Sequence, residues 1–471
     1  MRIKLIIFFF FASYFVNINS ITLTESIDMA IANNHELNMA KEDVIIAEKN
    51  YNEVRGQLFP QLNLNATYNL TKNHLPRSVV PQPFSLHDSL EDPITRNEEI
   101  IAGTFDTLMG RMVPSSRNRE EANLATQISL TQPIFLGGQL INGIRVLDRV
   151  KTLQERKFEL ELQSLVITVI NAYYDLFLVQ EGLAIQRQAL INAELHFERV
   201  ANLYSQGLVS EYDKLRAELE VSRLQPEVLT YENLENLAEE NFNRIIGHSG
   251  DVVLSPFLDD ITQTALQFDI SLEDSLQLGS ENRIELYLSK LMADIYQVQL
   301  DAEKMNFAPN LLLQADITRY ASNSSSYSIH GDDFGTMGSV GLVFTMPLFT
   351  GLSNTSRALR AKHELRKADY DVLNTTDLIN LEIRQTWQSF STSKKFLDVQ
   401  ELNMSLAERA LTIAEARFQN QAGIQLEVFD AQIQYNAAQI SLAEAKIRII
   451  KDFYALNKAL GIKLNNLIGE I

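Results

Sequence analysis

Along residues 61–70, QLNLNATYNL, apolar and polar side chains alternate one for one. Leu62, Leu64, Ala66, Tyr68 and Leu70 stand against Asn63, Asn65, Thr67 and Asn69. A period of two puts one set on each face of a β-strand. The pattern recurs three times. Leu124, Thr126, Ile128 and Leu130 oppose Ala125, Gln127, Ser129 and Thr131. Leu311, Leu313, Ala315 and Ile317 oppose Leu312, Gln314, Asp316 and Thr318. Val340, Leu342 and Phe344 oppose Ser339, Gly341 and Thr345. Strands are therefore expected over about 61–71, 124–133, 310–320 and 336–346.

Elsewhere the period is helical. Leu162, Leu165, Val169, Ala172, Leu176, Val179 and Leu183 step alternately by three and four, which is a heptad seam. After a break at Gln186 it continues through Leu190, Ala193, Phe197, Val200 and Tyr204. A second seam, Val166, Ile170, Tyr173 and Phe177, predicts a second helical neighbour. Ile379, Ile383, Phe390, Leu397, Met404, Leu411 and Phe418 form the same kind of seam further on. The run from Gln139 to Gln206 amounts to about 100 Å of helix at about 1.5 Å per residue.

The chain is written twice. ITLTESIDMAIANNHEL at 21 matches ISLEDSLQLGSENRIEL at 270, and the same shift puts Pro60 on Pro309. TQPIFLGG at 131 matches TMPLFTGL at 345. That second shift holds without a gap from Pro133 on Pro347 to Gly247 on Gly461, with Tyr173 on Trp387 between them. The first copy thus carries an insertion, within the Pro- and Arg-containing stretch 72–123. Repeat 1 spans 21–247 and repeat 2 spans 271–461, with a linker or equatorial region at 248–270 and a tail at 462–471. In each repeat a capping box (Thr22 with Glu25, Ser271 with Asp274) opens a helix that stops near Pro60 or Pro309. Two strands joined by a polar loop follow. A long helical hairpin, 139–246 or 353–460, turns near Gly207 or Gly423 and closes the repeat.

Composition decides what surrounds the strands. Arg2 and Lys4 precede the apolar run Leu5–Val16, so residues 1–20 are expected as a secretory signal peptide. No other run is expected to span a bilayer as a helix. The absence of cysteine excludes disulfides, thiolate metal sites and a lipidated N-terminus. A net charge of −19 argues against a nucleic-acid partner. No phosphate-binding glycine loop, catalytic constellation, metal-ligand cluster or cofactor motif is present, and His196 is expected as a surface or packing residue. A soluble sandwich could bury the apolar strand faces against a second sheet. Export, a strand length suited to an outer membrane, and a polar face rich in Asn, Thr, Ser and Gln favour a membrane barrel with a wet lumen. Four strands cannot close one, since roughly eight are needed, and an open edge in lipid leaves backbone groups unpaired. Several copies must therefore join, giving eight strands from a dimer or twelve from a trimer.

QPIFLGG, MPLFTGL and the hairpin turns LYSQGLVSEYDKLRAELE and RFQNQAGIQLEVFDAQ, set in a twofold repeat, resemble the TolC-type outer-membrane efflux proteins over essentially the whole mature chain. The resemblance implies a mixed α/β membrane fold. A homotrimer would close a twelve-stranded β-barrel, four strands per chain, continuing into a long periplasmic α-helical barrel. It implies an exit duct of a tripartite efflux pump or type I secretion system, set in outer-membrane lipid and completed by a periplasmic adaptor and an inner-membrane transporter. By the same matching, Asp213, Glu427 and Asp430 would ring the periplasmic mouth as a cation-selective constriction. Gly207, Leu208, Val209, Gly423 and Ile424 would be the tips gripped by the adaptor. Some of these residues also have a plainer role: Asp213 as a capping partner of Ser210, Glu427 as a first-turn acid, Gly207 as the turn itself; Asp430, a turn further in, is the stronger candidate for the constriction. The chain departs from the family pattern at Gly423, where an arginine can lock the mouth, and at Phe418, which lacks a tyrosine hydroxyl. An ionic latch of that kind is therefore not expected, and closure is expected to rest on packing. The alternative to a duct is a non-conducting periplasmic stalk or adhesin.

Overall fold

The computed structural model describes residues 21–74, 84–90, 93–112, 118–250, 252–254, 258–323, 329–331, 334–420 and 422–463. The expected signal peptide and all but the start of the C-terminal tail lie outside them. The elements are α1 (Leu23–Asn33), α2 (His35–Gly56), β1 (Gln61–His74), α3 (Arg96–Met112), β2 (Asn118–Leu136), α4 (Gln139–Ser205) and α5 (Glu211–Ile246). After them come α6 (Leu258–Gln267), α7 (Leu272–Asn282), α8 (Ile284–Lys304), β3 (Asn310–Asn323), β4 (Phe334–Thr345), α9 (Ser353–Gln419) and α10 (Gln425–Ala459). They form two compact units. Of the described residues, one holds those up to Lys49, Leu147–Gln297 and those from Lys362 on; the other holds those of Asn50–Val146 and Val298–Ala361.

The second unit contains one antiparallel sheet in the order β1-β2-β3-β4. The two strands of each repeat pair with each other, and β2 of the first repeat pairs with β3 of the second. The connection from β1 to β2 is more than the expected polar loop, because it contains α3. Thr95 and Glu98 cap that helix reciprocally, Thr95 N–H donating to Glu98 Oε2 at 2.9 Å. Asp106, on the same helix, accepts from Ser85 Oγ at 2.9 Å and from the backbone N–H groups of Leu86 and His87. Desolvation pushes its carboxyl up, but these bonds and the nearby His87 together outweigh it and hold the carboxyl below the usual range.

The first unit is helical, and the heptad seams supply its core. Val166, Val169, Ile170, Tyr173, Tyr174 and Leu176 of α4 pack with Phe242 and Ile246 of α5, Ile383 and Phe390 of α9, and Ile450, Phe453 and Tyr454 of α10. Burial pushes the Tyr454 phenol up to about 12. One 18-residue window of α4 is apolar enough to cross a membrane, with a mean hydropathy of 1.5. This corrects the expectation that no run beyond the leader qualifies. In the fold, part of that apolar surface goes into this core, through Val166, Val169, Ile170 and Leu176, while Ile191 and Leu195 further along α4 stay exposed.

The duplication is visible in contacts as well as in sequence. Tyr173 Oη donates to the carbonyl of Ile21 at 3.4 Å, and its counterpart Trp387 donates Nε1–H to the carbonyl of Ile270 at 2.9 Å. Gly247 and Gly461 end the returning helices at φ +67° and +74°, packed on Asn33 and Asn282. The expected single helix before each proline is two helices. At Asn34 the backbone N–H closes α1 onto Ala30 O at 2.8 Å while the side chain accepts from Leu37 N–H at 2.9 Å, so one residue stops one helix and starts the next. The stretch 248–270 carries α6, and its Val252, Leu254, Ile261 and Ala265 are buried in the helical core.

Candidate functional site

Two regions bear on function, and each is built from the repeat. The first is the sheet. Its register sets apolar residues in continuous rows across all four strands. Leu62, Leu130, Ala315 and Val340 make one row, and Leu64, Ile128, Ile317 and Gly338 make the next. On the opposite face Asn63, Ser129, Asp316 and Ser339 align, with Ser339 Oγ donating to Asp316 across strands. In a single chain the apolar rows are uncovered: Leu62 is 69% exposed and Val340 77%. β1 and β4 are both edge strands. The sheet thus has a greasy face, a wet face and two open edges, a combination unstable alone in water or in lipid.

The second region lies where the two helical hairpins turn. The α4–α5 turn is a complete Schellman arrangement. Gly207 takes φ +73°, its N–H donates to Tyr204 O at 2.9 Å, and Leu208 N–H donates to Leu203 O at 3.0 Å. Leu208 is exposed at the tip, beside half-buried Val209. α5 then opens on a complete capping box. Ser210 Oγ accepts from Asp213 N–H at 3.2 Å, and Asp213 Oδ2 accepts from Ser210 N–H and Oγ–H at 3.1 and 2.6 Å. The plainer role of Asp213 is therefore present.

The α9–α10 turn is built differently. α10 starts at Ile424, which offers no side-chain cap and is exposed. Glu427 sits in the first turn with its Oε2 3.0 Å from Arg417 Nη1, at an angle that makes the contact an ion pair rather than a hydrogen bond. Arg417 also donates Nη2–H to Ala422 O at 3.3 Å. A Cβ at Gly423 would stand 3.0 Å from Arg417 Cβ and 3.1 Å from Glu427 Oε2. Glycine at 423 is thus the residue that leaves room for this pair, which ties together the two sides of a single turn. Both partners are exposed enough that the pair is worth about 0–1 kcal/mol. Asp430, one turn on, is exposed. Sequence reasoning missed Arg417; the signal was a basic residue in the last turn before a glycine, facing an acid in the next first turn.

The hairpins meet just above the tips. Val200 of α4, Ala217 of α5 and Phe429 of α10 form a small buried cluster, with Phe197 and Val209 against it. His196 lies beside this cluster, its ring 5.0 Å from Phe429 and 5.8 Å from Phe418. Gln425, 5% exposed, places its amide nitrogen 3.1 Å from His196 Nε2. Burial, then the nearby Arg199, lowers the His196 pKa. His196 is a packing residue, as expected, with a polar partner the sequence did not indicate.

The profile of the outer membrane efflux protein family matches residues 26–248 and 276–462, one segment per repeat. The chain belongs to the outer membrane efflux protein family. It is an outer-membrane protein, and its function is that of an exit duct. Among its relatives, the alkaline protease secretion protein AprF of Pseudomonas aeruginosa is 20% identical over 70% of this chain and 68% of its own length. Outer membrane protein TolC of Vibrio cholerae is 21% identical over 85% of this chain and 90% of its own. Among solved structures, the CusC channel aligns over 94% of this chain and 92% of its own with a TM-score of 0.73 at 16% identity. The open-state MtrE channel of Neisseria gonorrhoeae aligns over 93% and 89% at 0.69, with 15% identity. At these identities the structural matches speak to the fold, which they share almost end to end.

Proposed function

We propose that three copies of this chain join edge to edge, β4 of one to β1 of the next, closing a twelve-stranded barrel in the outer membrane. The observation that carries this is the four-stranded sheet with two open edges and an uncovered apolar face. Apolar residues at heptad steps are also left bare on the helices, Leu215 and Leu219 on α5 and Leu402, Leu406 and Ile413 on α9. They support a ring of helices completed by neighbouring subunits. The duct is passive. An inner-membrane transporter supplies the energy, and a periplasmic adaptor grips the tips at Gly207, Leu208, Val209, Gly423 and Ile424. AprF is named for secretion of a protease and BepC for efflux, so both cargo classes occur among the relatives. Asp213, Glu427 and Asp430 line the mouth, and threefold symmetry crowds their carboxylates so that they attract cations. Asp430 carries most of this effect. Asp213 is occupied by its cap and Glu427 by Arg417, whereas Asp430 is exposed.

Planar-bilayer recordings of the purified protein test the reading. A small cation-preferring conductance is expected, with the preference reduced in Asp430→Asn. A protein that inserts and passes no current would instead be a stalk.

A further inference from the structure

Opening a helical mouth requires its hairpins to move apart, and only contacts between hairpins resist that. Among the described residues, such contacts near the tips are found in one small patch. The patch includes the cluster of Val200, Ala217 and Phe429, and the His196 ring with Gln425, Phe418 and Phe429. Beside them, away from the main core, is a cleft of about 220 Å³ that reaches all four helices, lined by Asn192 and His196 of α4, Glu220 of α5, Glu415 of α9 and Gln432 of α10. The joint is therefore a patch of its own, and loosening it disturbs little else.

We propose that His196 and Gln425 are the positioning pair that holds the two hairpin tips of one subunit together, and that the pair lets go when His196 takes up a proton. This rests on the duct reading. The Gln425 NH2 donates to the bare lone pair of His196 Nε2, an arrangement that requires a neutral ring. A protonated ring has donors on both nitrogens, so amide NH2 and ring N–H would confront each other. Turning the amide over would offer Oε1 to the ring N–H, but it would carry the amide NH2 away from the ring nitrogen that now accepts from it. The charge would also sit against Phe418 and Phe429.

The charged surroundings do not rescue it. Arg199, one turn along α4, repels it. Glu220 across the cleft is already held by Arg223 through two bonds, at 2.7 and 3.0 Å. Glu415 is exposed to solvent, which screens it. α10 presents Gln425, Phe429 and Gln432, none of them charged.

The direction with pH follows. In the closed joint the His196 pKa lies below its ordinary value, while in a parted mouth the ring is hydrated and titrates near about 6.5. The parted form binds the proton more tightly. Closure is therefore favoured above the ordinary value and is lost as pH falls below it. The mouth carboxylates act in the opposite sense on current, since acid removes the charge that attracts cations.

The test combines two readouts on the native assembly and on two variants, His196→Gln and Gln425→Glu. In hydrogen exchange, corrected for intrinsic pH dependence, amides of residues 425–429 are expected to lose protection between pH 7.5 and 5.5 in the native protein. His196→Gln is expected to abolish that loss. Gln425→Glu gives a protonated ring a carboxylate partner and is expected to reverse it, so that protection rises in acid. Single-channel open probability should rise in acid in the native protein, stay level in His196→Gln and fall in Gln425→Glu. An acid response of equal size in the native protein and in His196→Gln would overturn the joint. So would a Gln425→Glu variant that loosens in acid like the native protein. Protection that follows the three patterns in a protein passing no current would leave the joint standing and remove the duct.

Discussion

Gly247 and Gly461 show how much one residue can fix. Each ends a returning helix in a left-handed conformation, and each leaves no room for a side chain. A Cβ at 247 would stand 2.5 Å from Asn33 Cβ, and one at 461 would stand 2.7 Å from the Asn282 backbone. Alanine in that conformation costs roughly 1–2 kcal/mol before any overlap is counted. Gly247→Ala is therefore expected to lower the thermal unfolding midpoint. Gly103, inside α3, has open space where a Cβ would go, and Gly103→Ala is expected to be stabilising by about 0.5–1 kcal/mol. Calorimetry of the two variants checks the opposite signs. At this scale the sequence revealed the glycines and the capping pairs, because turns and caps are local. It did not reveal Arg417 with Glu427 or His196 with Gln425, because those pairs depend on how α9 and α10 face each other across their turn and on how two hairpins lie side by side, which brings together residues 229 apart in sequence.

At the scale of the element, the sheet is the clearest product of the sequence pattern. A period of two fixes which side chains share a face, and antiparallel pairing then aligns those faces into rows. The consequence for mutation is asymmetric. Val340 and Ser339 are neighbours on one edge strand with opposite faces. Val340→Arg puts a charge toward lipid at a cost of about 2–4 kcal/mol near the bilayer midplane. Ser339→Arg puts the same charge in the lumen. The fraction of protein that folds into lipid vesicles should fall for the first and stay near native for the second. α3 was hidden for an identifiable reason. Its capping pair Thr95–Glu98 and the apolar residues Ile100, Ile101, Phe105 and Leu108 were all legible, but it lies in an insertion without a counterpart in the second repeat. Comparison between the copies, which outlined the plan of each repeat, was silent there. The break at Asn34 was missed because Asn is tolerated inside a helix as well as at its ends, and only its two bonds, to Ala30 and from Leu37, decide between them.

For the whole molecule, the duplication explains why one chain carries half-solutions. Each repeat provides two strands and one hairpin, and the two repeats together give a sheet still open at both edges. Family membership and end-to-end structural likeness to outer-membrane channels agree with that incompleteness. In the proposed assembly, the bare rows at Leu62, Leu64, Val340 and Leu342 would be covered by lipid and the bare heptad positions at Leu402 and Leu406 by further copies of the same chain. The central claim is the closure of one barrel by three such chains around an open bore. Imaging single particles of the detergent-solubilised protein tests it most directly. The account predicts three subunits, twelve strands and a continuous passage through barrel and helices; a lone subunit, or a shaft with no bore, would contradict it.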